Sequence, residues 1–147
     1  MDAFLLNLRH SLRRLAADRS FAREPASVPD YLDFVRLGRS FAQLAALMGD
    51  EVNMAPPAGD PVRLAGLRVS HQFLPMLGVK PVFGRTFTEE EDRAGGPAVA
   101  LISESLWSRS YARDPAAIGR VLHLDEKPHT IVGVMPDMAD FGVVQIL

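Results

Sequence analysis

The chain has 147 residues, 48% hydrophobic and 23% charged, with a formal net charge of −2 and an isoelectric point near 6.1. That balance suits one folded domain with its own core and excludes a disordered chain; the slight acidity argues against nucleic acid as the partner, since such binders carry a clear basic excess. Cysteine is absent, which excludes disulfides, thiolate metal sites and cysteine nucleophiles.

At the start of the chain, Leu5, Leu8, Leu12 and Leu15 recur at steps of three and four, so residues 1–19 are expected to form an amphipathic helix. Arg9, Arg13 and Arg14 put positive charge on its other faces. Two readings stay open: a helix lying on an anionic membrane surface, or a surface helix packed on a partner or on the domain. The same arginines interrupt the apolar core that a secretory signal needs, so no signal is expected. No apolar run reaches the roughly 18 residues of a membrane span. Residues 20–27, with Pro25 and no periodicity, read as a linker.

Pro29 suits the first turn of a helix that carries Tyr31, Leu32, Phe34, Val35 and Leu37 and closes at Gly38. Residues 40–47 suggest a short helical turn leading into a strand over 45–54. Pro56, Pro57 and Gly59 mark a turn, and a hairpin to residues 61–70 follows. In that second strand Val62, Leu64, Gly66, Leu67 and Val69 suggest one buried face. Ser70 is a candidate cap for a helix over 71–77 with Phe73, Leu74 and Leu77 inside. Gly78 ends that helix, Pro81 keeps it from resuming, and Gly84 with Arg85 makes a second turn.

The acidic run Glu89, Glu90, Glu91 and Asp92 reads as a solvated loop or a first helical turn rather than a cation patch, because four adjacent side chains cannot converge on one ion. Residues 98–102 form a short buried strand, and Ser103 caps a helix whose apolar contacts are Leu106, Trp107 and Tyr111. Asp114 and Pro115 break it, and one more turn runs to Ile118 before Gly119. A hairpin follows, with strands over 119–125 and 129–135 and a turn over 125–128, ended by Pro136. Val143, Val144, Ile146 and Leu147 leave an apolar tail over 137–147, expected to be exposed and to favour self-association. The main core is expected from Phe73, Leu77, Val99, Leu101, Leu106, Trp107, Leu122, Leu124, Ile131 and Val134.

Chemistry is sparse. His71, His123 and His129 are the candidates for metal or acid–base work. His123 and His129 facing each other beside Asp125 would make a two-histidine, one-carboxylate set, but the spacing fits no ligand signature and the turn explains Asp125. Ser103 and Ser105 lack a GxSxG setting. Gly95-Gly96-Pro97 is a turn, not a phosphate cradle. The expectation is no catalytic, cofactor-binding or metal residue.

Several blocks nonetheless resemble one family. Val69-Ser70, Phe73, Leu77-Gly78-Val79, Pro81, Gly84-Arg85 and Phe87 are similar to its VSxxFFxxLGVxPxxGRxF block. Val99 to Glu104, Leu106-Trp107, Asp114-Pro115, Ile118-Gly119-Arg120, Leu124-Asp125 and Ile131 to Pro136 resemble the next two, and Pro29 to Phe34 with Ser40-Phe41 the opening. The family is the MacB-type periplasmic core domain of ATP-binding-cassette (FtsX/MacB-like) transporter permeases. The resemblance implies a core domain over 28–136, preceded by the helix 1–19 and linker 20–27 and followed by the tail 137–147. It also implies that the membrane spans and part of the outer domain are missing from this chain. The implied role is non-catalytic: an extracytoplasmic-type domain at the cell membrane that couples ATP-driven movement to partners or substrate outside. The implied partners are an ABC ATP-binding subunit, other permease segments, an extracytoplasmic adaptor protein, and the membrane surface through the N-terminal helix. The alternatives are a free-standing interaction domain on a membrane surface and a small metal enzyme using His123, Asp125 and His129. Residue pattern and resemblance agree on an α+β fold, its mixed or antiparallel sheet covered by short helices.

Overall fold

The computed structural model describes residues 28–37, 44–56, 59–137 and 142–146. The chain divides into two compact units, Met1–Leu44 and Ala45–Leu147. The described part of the first is helix α1, Val28–Leu37. Pro29 falls in its first turn, where a missing N–H costs nothing, and Asp30 and Arg36 sit at the ends where their charges suit the helix dipole. The expected helix over 1–19, the linker and the stop at Gly38 lie outside the described residues.

The second unit holds strands β1 (Leu47–Ala55), β2 (Val62–Val69), β3 (Phe83–Gly84), β4 (Val99–Ser103), β5 (Val121–Leu124), β6 (Lys127–Met135) and β7 (Val143–Ile146). Helices α2 (Phe73–Met76) and α3 (Glu104–Tyr111) and a 3-10 turn at Pro115–Ala117 connect them. The fold is α+β with one mixed sheet in the order β3-β6-β4-β7-β2-β1-β5. Because β5 also pairs with β6, six of the strands close into a ring. β2–β7 and β4–β6 are parallel and the other pairs antiparallel.

Alternation explains which side chains meet inside. Val52 and Met54 of β1, Ala100 and Ile102 of β4, Leu122 and Leu124 of β5, Ile131 and Val134 of β6 and Val143 of β7 share one buried cluster with α3. Ile131 and Val134 both belong to it although three residues separate them. The reason is a register shift: Ala100 pairs with Ile131 and Leu101 with Gly133, so Val132 is the extra residue of a bulge and the parity changes there. β4 is buried on both faces, as a strand between two neighbours and two layers must be. Of the ten expected core residues all are buried except Leu77, which is half-buried. It lies just past α2, which ends at Met76 rather than at Leu77.

Two glycines let β3 lie on β6. A Cβ on Gly84 would come within 2.5 Å of the Val132 carbonyl oxygen, and one on Gly133 within 2.3 Å of the Arg85 carbonyl oxygen. The two residues are register partners, and Gly84 has a φ of +77°. The expected turn at Gly84 is therefore a short strand.

Other elements differ at their edges. Leu47 begins β1 rather than ending a helical turn. Ser70 is not the cap of α2: Gln72 precedes the helix without a side-chain cap bond. The Ser70 hydroxyl instead accepts from the Ala46 N–H at 3.0 Å, while the Ser70 N–H donates to the Ala46 carbonyl at 3.0 Å. Ser103 does cap α3, accepting from the Leu106 N–H. The last hairpin turns on two residues, Asp125 and Glu126, with φ of 47° and 66°, and Pro128 already belongs to β6.

The largest correction concerns the expected exposed tail. β7 lies between β2 and β4 in the middle of the sheet, and Val143 and Val144 are fully buried. Val144 pairs with Leu67 on one side and Leu101 on the other. Val144→Asp should therefore bury a charge with no partner and cost more than about 3 kcal/mol. Thermal melting followed by circular dichroism should show a large fall in Tm or no cooperative transition; an unchanged Tm would mean β7 is peripheral.

Candidate functional site

The stretch from Ser70 to Asp92 is fastened by charged side chains. Just past α2, Gly78 has a φ of +68° that allows the chain to reverse, and the Val79 N–H returns to the Leu74 carbonyl at 3.0 Å. The chain then runs along β6: the Val82 N–H donates to Val134 and the Arg85 N–H to Val132. The Arg85 guanidinium donates to both carboxylate oxygens of Glu91, at 3.0 and 2.6 Å. This fork-on-fork geometry is the strong form of an ion pair. The Glu91 carboxylate also accepts from the Thr88 N–H at 2.8 Å, and the Glu91 N–H donates to the Thr88 hydroxyl at 3.4 Å. Thr88 and Glu91 thus form a reciprocal capping box.

The acidic run is not uniformly solvated. The Glu91 side chain is 8% exposed. Asp92 is half-buried and accepts from the His71 N–H at 3.0 Å, with the His71 Nδ1 2.8 Å from the same oxygen. Glu89 and Glu90 are exposed as expected. The loop after β3 is therefore tied to β3 through Arg85 and to the end of β2 through His71. The bonds from Arg85 hold the Glu91 carboxyl below its ordinary range, and burial opposes that shift. Arg85 is raised in turn, its bonds to Glu91 outweighing its own loss of hydration. The T-x-x-E spacing was the readable signal for this clamp; that Arg85 would reach Glu91 was not readable.

Trp107 anchors a second cluster. Phe83 of β3 stacks on it with ring centroids 5.8 Å apart, and Arg113 lies 5.2 Å from its ring. The indole N–H donates to the Asp114 carbonyl at 2.9 Å. Arg113 is kept over the ring by Glu104, 2.7 Å away. Trp107 and Tyr111 are core, as their helical spacing suggests.

The hairpin histidines do not converge. His123 pairs with Pro128 and His129 with Leu122, so the two side chains leave opposite faces of the ribbon. Asp125 is engaged elsewhere: its carboxylate accepts from the Asn53 N–H and side-chain amide, both at 3.0 Å. His71 is held by Asp92. Among the described residues no group of three or more histidine, aspartate or glutamate side chains is placed to hold a metal ion.

What remains on the surface is contact material. Val82, Phe83, Met76 and Val121 are each more than a third exposed. None of the described helices is long and apolar enough to cross a membrane. The profile of the MacB-like periplasmic core domain matches residues 9–146. The chain belongs to that family.

Solved structures show the same fold. The periplasmic region of MacB from Actinobacillus actinomycetemcomitans superposes with a TM-score of 0.70 at 16% identity, over 87% of this chain and 58% of that one. The extracellular domain of YknZ, an ABC-type transporter from Gram-positive bacteria, gives 0.69 at 12% identity, over 85% and 65%. This MacB-like chain thus spans less than two thirds of either relative. No curated protein matches it. At these identities the shared feature is the fold, and the blocks that resemble the family fall on its load points: Gly84 and Arg85 at the β3–β6 crossing, Trp107 in the stacked cluster and Ile131 to Met135 in β6.

The Glu91 clamp gives a pH prediction. Glu91 has a folded-state pKa below its ordinary value near 4.5, so its contribution is complete above that value and is lost as pH falls through the folded one. Glu91→Ala should cost about 1–3 kcal/mol near neutral pH, by removing three accepted bonds. The gap between wild type and variant should narrow as denaturation is repeated at pH values below about 4. A gap independent of pH would show that the carboxylate charge does not matter.

Proposed function

We propose that this MacB-like domain works as the extracytoplasmic domain of an ABC transporter permease. In that role it couples movement driven by ATP hydrolysis in a separate subunit to partners or substrate outside the membrane. Family membership over residues 9–146 carries this reading. It is supported by polar clusters that fasten loops, His71 with Asp92, Arg85 with Glu91 and Asp125 with Asn53. The reading assigns no catalytic, cofactor or metal residue, and the protein is not an enzyme. Its partners are an ABC ATP-binding subunit, other permease segments and an extracytoplasmic adaptor protein. The proposed domain organisation is a basic amphipathic helix over 1–19, a linker over 20–27, a core domain over 28–136 and a C-terminal segment over 137–147 whose strand β7 joins the core sheet.

The decisive measurement is topological. In its native host, the chain should be cut by protease added outside the cytoplasmic membrane while a cytoplasmic marker survives. In-cell crosslinking should recover an ATP-binding subunit. Full protection of the chain from external protease would overturn the extracytoplasmic assignment.

A second reading, a free-standing interaction domain at a membrane surface, is favoured by the concentration of Arg9, Arg13 and Arg14 beside the leucine stripe. It predicts binding to anionic vesicles that weakens with added salt, because surface attraction is screened. Removing residues 1–19 should abolish binding, and equal binding by the shortened chain would reject the membrane role of that segment.

A further inference from the structure

The closed ring has one weak seam. β1 and β2 share eight register positions, β4 and β6 five, β2 and β7 four, β5 and β6 four, and β4 and β7 three, of which Leu101 with Val144 and Ile102 with Val143 join fully buried residues. β1 and β5 share only two, Met54 with Leu124 and Ala55 with His123. The seam is prolonged by one residue pair. Asp125 donates its N–H to the Asn53 carbonyl at 2.9 Å, and its carboxylate accepts from the Asn53 N–H and side-chain amide. We propose that the β1–β5 seam is a built-in opening of this domain and that Asn53 and Asp125 are its latch.

Four observations support this. The latch is exposed on both sides, so water competes for every bond in it. Its two residues are 72 positions apart in the chain, so no local connection restores it once it parts. Each flank is self-sufficient: β1 keeps its full register with β2, and β5 keeps Val121 to Leu124 paired with β6. Beyond the seam, from Leu47 to Val52, no described strand pairs with that edge of β1. Release at two register positions therefore frees the whole edge. Met54 and Leu124, both buried beneath the seam, hold it closed at rest and make opening a minor excursion. Asn53 and Asp125 are positioning residues, and the inference rests on the fold alone, not on the transporter reading.

Amide hydrogen exchange at residue resolution on the full chain tests it. In wild type, the amides of residues 53, 55 and 125 should exchange faster than those of β4 and of the second half of β6. Asn53→Ala, which leaves the turn intact, and Asp125→Ala should each raise exchange at residues 55 and 125 by about tenfold or more, leaving β4 and the Met54 amide, which faces β2, unchanged. A disulfide introduced by Ala55→Cys with His123→Cys, across a register pair of the seam, should slow those amides to the rate of the core. A uniform rise across β4 and β6 would overturn the proposal, since the pair would then serve global stability only. So would seam amides that exchange as slowly as the core in wild type, or that the disulfide leaves unchanged.

Discussion

Strand β6 carries this domain because one of its edges is occupied along nearly all its length and the other from Thr130 to Met135. On one edge it pairs with β4 from Thr130 to Met135. On the other it meets β5 from Lys127 to Thr130, then the chain at Gly119 and Arg120 through Ile131, then β3 at Gly133 and Val134. A strand so placed leaves few main-chain groups without partners, which is the condition for burying it. The cost appears at two points. The bulge at Val132 lets the strand serve two differently phased neighbours, and glycine is required at position 133 because the β3 backbone passes where a side chain would be.

Local features were legible in the sequence because they depend on neighbours in the chain. The β1–β2 and β5–β6 hairpins, the Ser103 cap and the Gly78 stop all follow from spacing within about a dozen residues. The position of β7 was not legible. Four apolar residues around Gln145 look like a sticky tail, and only pairing with β4 and, 77 positions earlier, with β2 (Gly66 with Val143) makes their segment a central strand. Contacts of that range leave no periodic trace.

The candidate site was hidden for a different reason. Four adjacent acids read as solvated because no local rule separates them, yet the fold treats each differently. Glu91 is selected by two constraints acting together, the capping box with Thr88 and the approach of Arg85 from β3. The turn at Asp125 and Glu126 is similar. Two consecutive non-glycine residues with positive φ are unfavourable alone, and the bonds from Asp125 to Asn53 on a distant strand offset that cost. Spacing pointed to a turn over 125–128; the turn starts there but ends at Glu126, and Lys127 and Pro128 already belong to β6.

These placements narrow where a permease domain of this kind meets other molecules. With Val143 and Val144 buried, the C-terminal strand supplies cohesion rather than a contact surface. With His71, Asp92, Arg85 and Glu91 engaged with one another, the loop after β3 supplies rigidity rather than chemistry. Among the described residues, the β1 edge from Leu47 to Val52, with which no strand pairs, and the exposed residues around β3 and β5 are left. The two regions differ in kind. Around β3 and β5 one edge of each strand lies on β6, and the exposed apolar side chains Val82, Phe83 and Val121 offer shape and apolar area. Along β1 no described strand takes up the main-chain groups of that edge, and how far the edge extends depends on two side chains, Asn53 and Asp125. A force that draws β1 away from β5 acts on those few bonds before it reaches the eight-position register with β2. A mechanical load on this domain is therefore expected to be felt first at the seam, with β4 and β6 remaining a fixed frame.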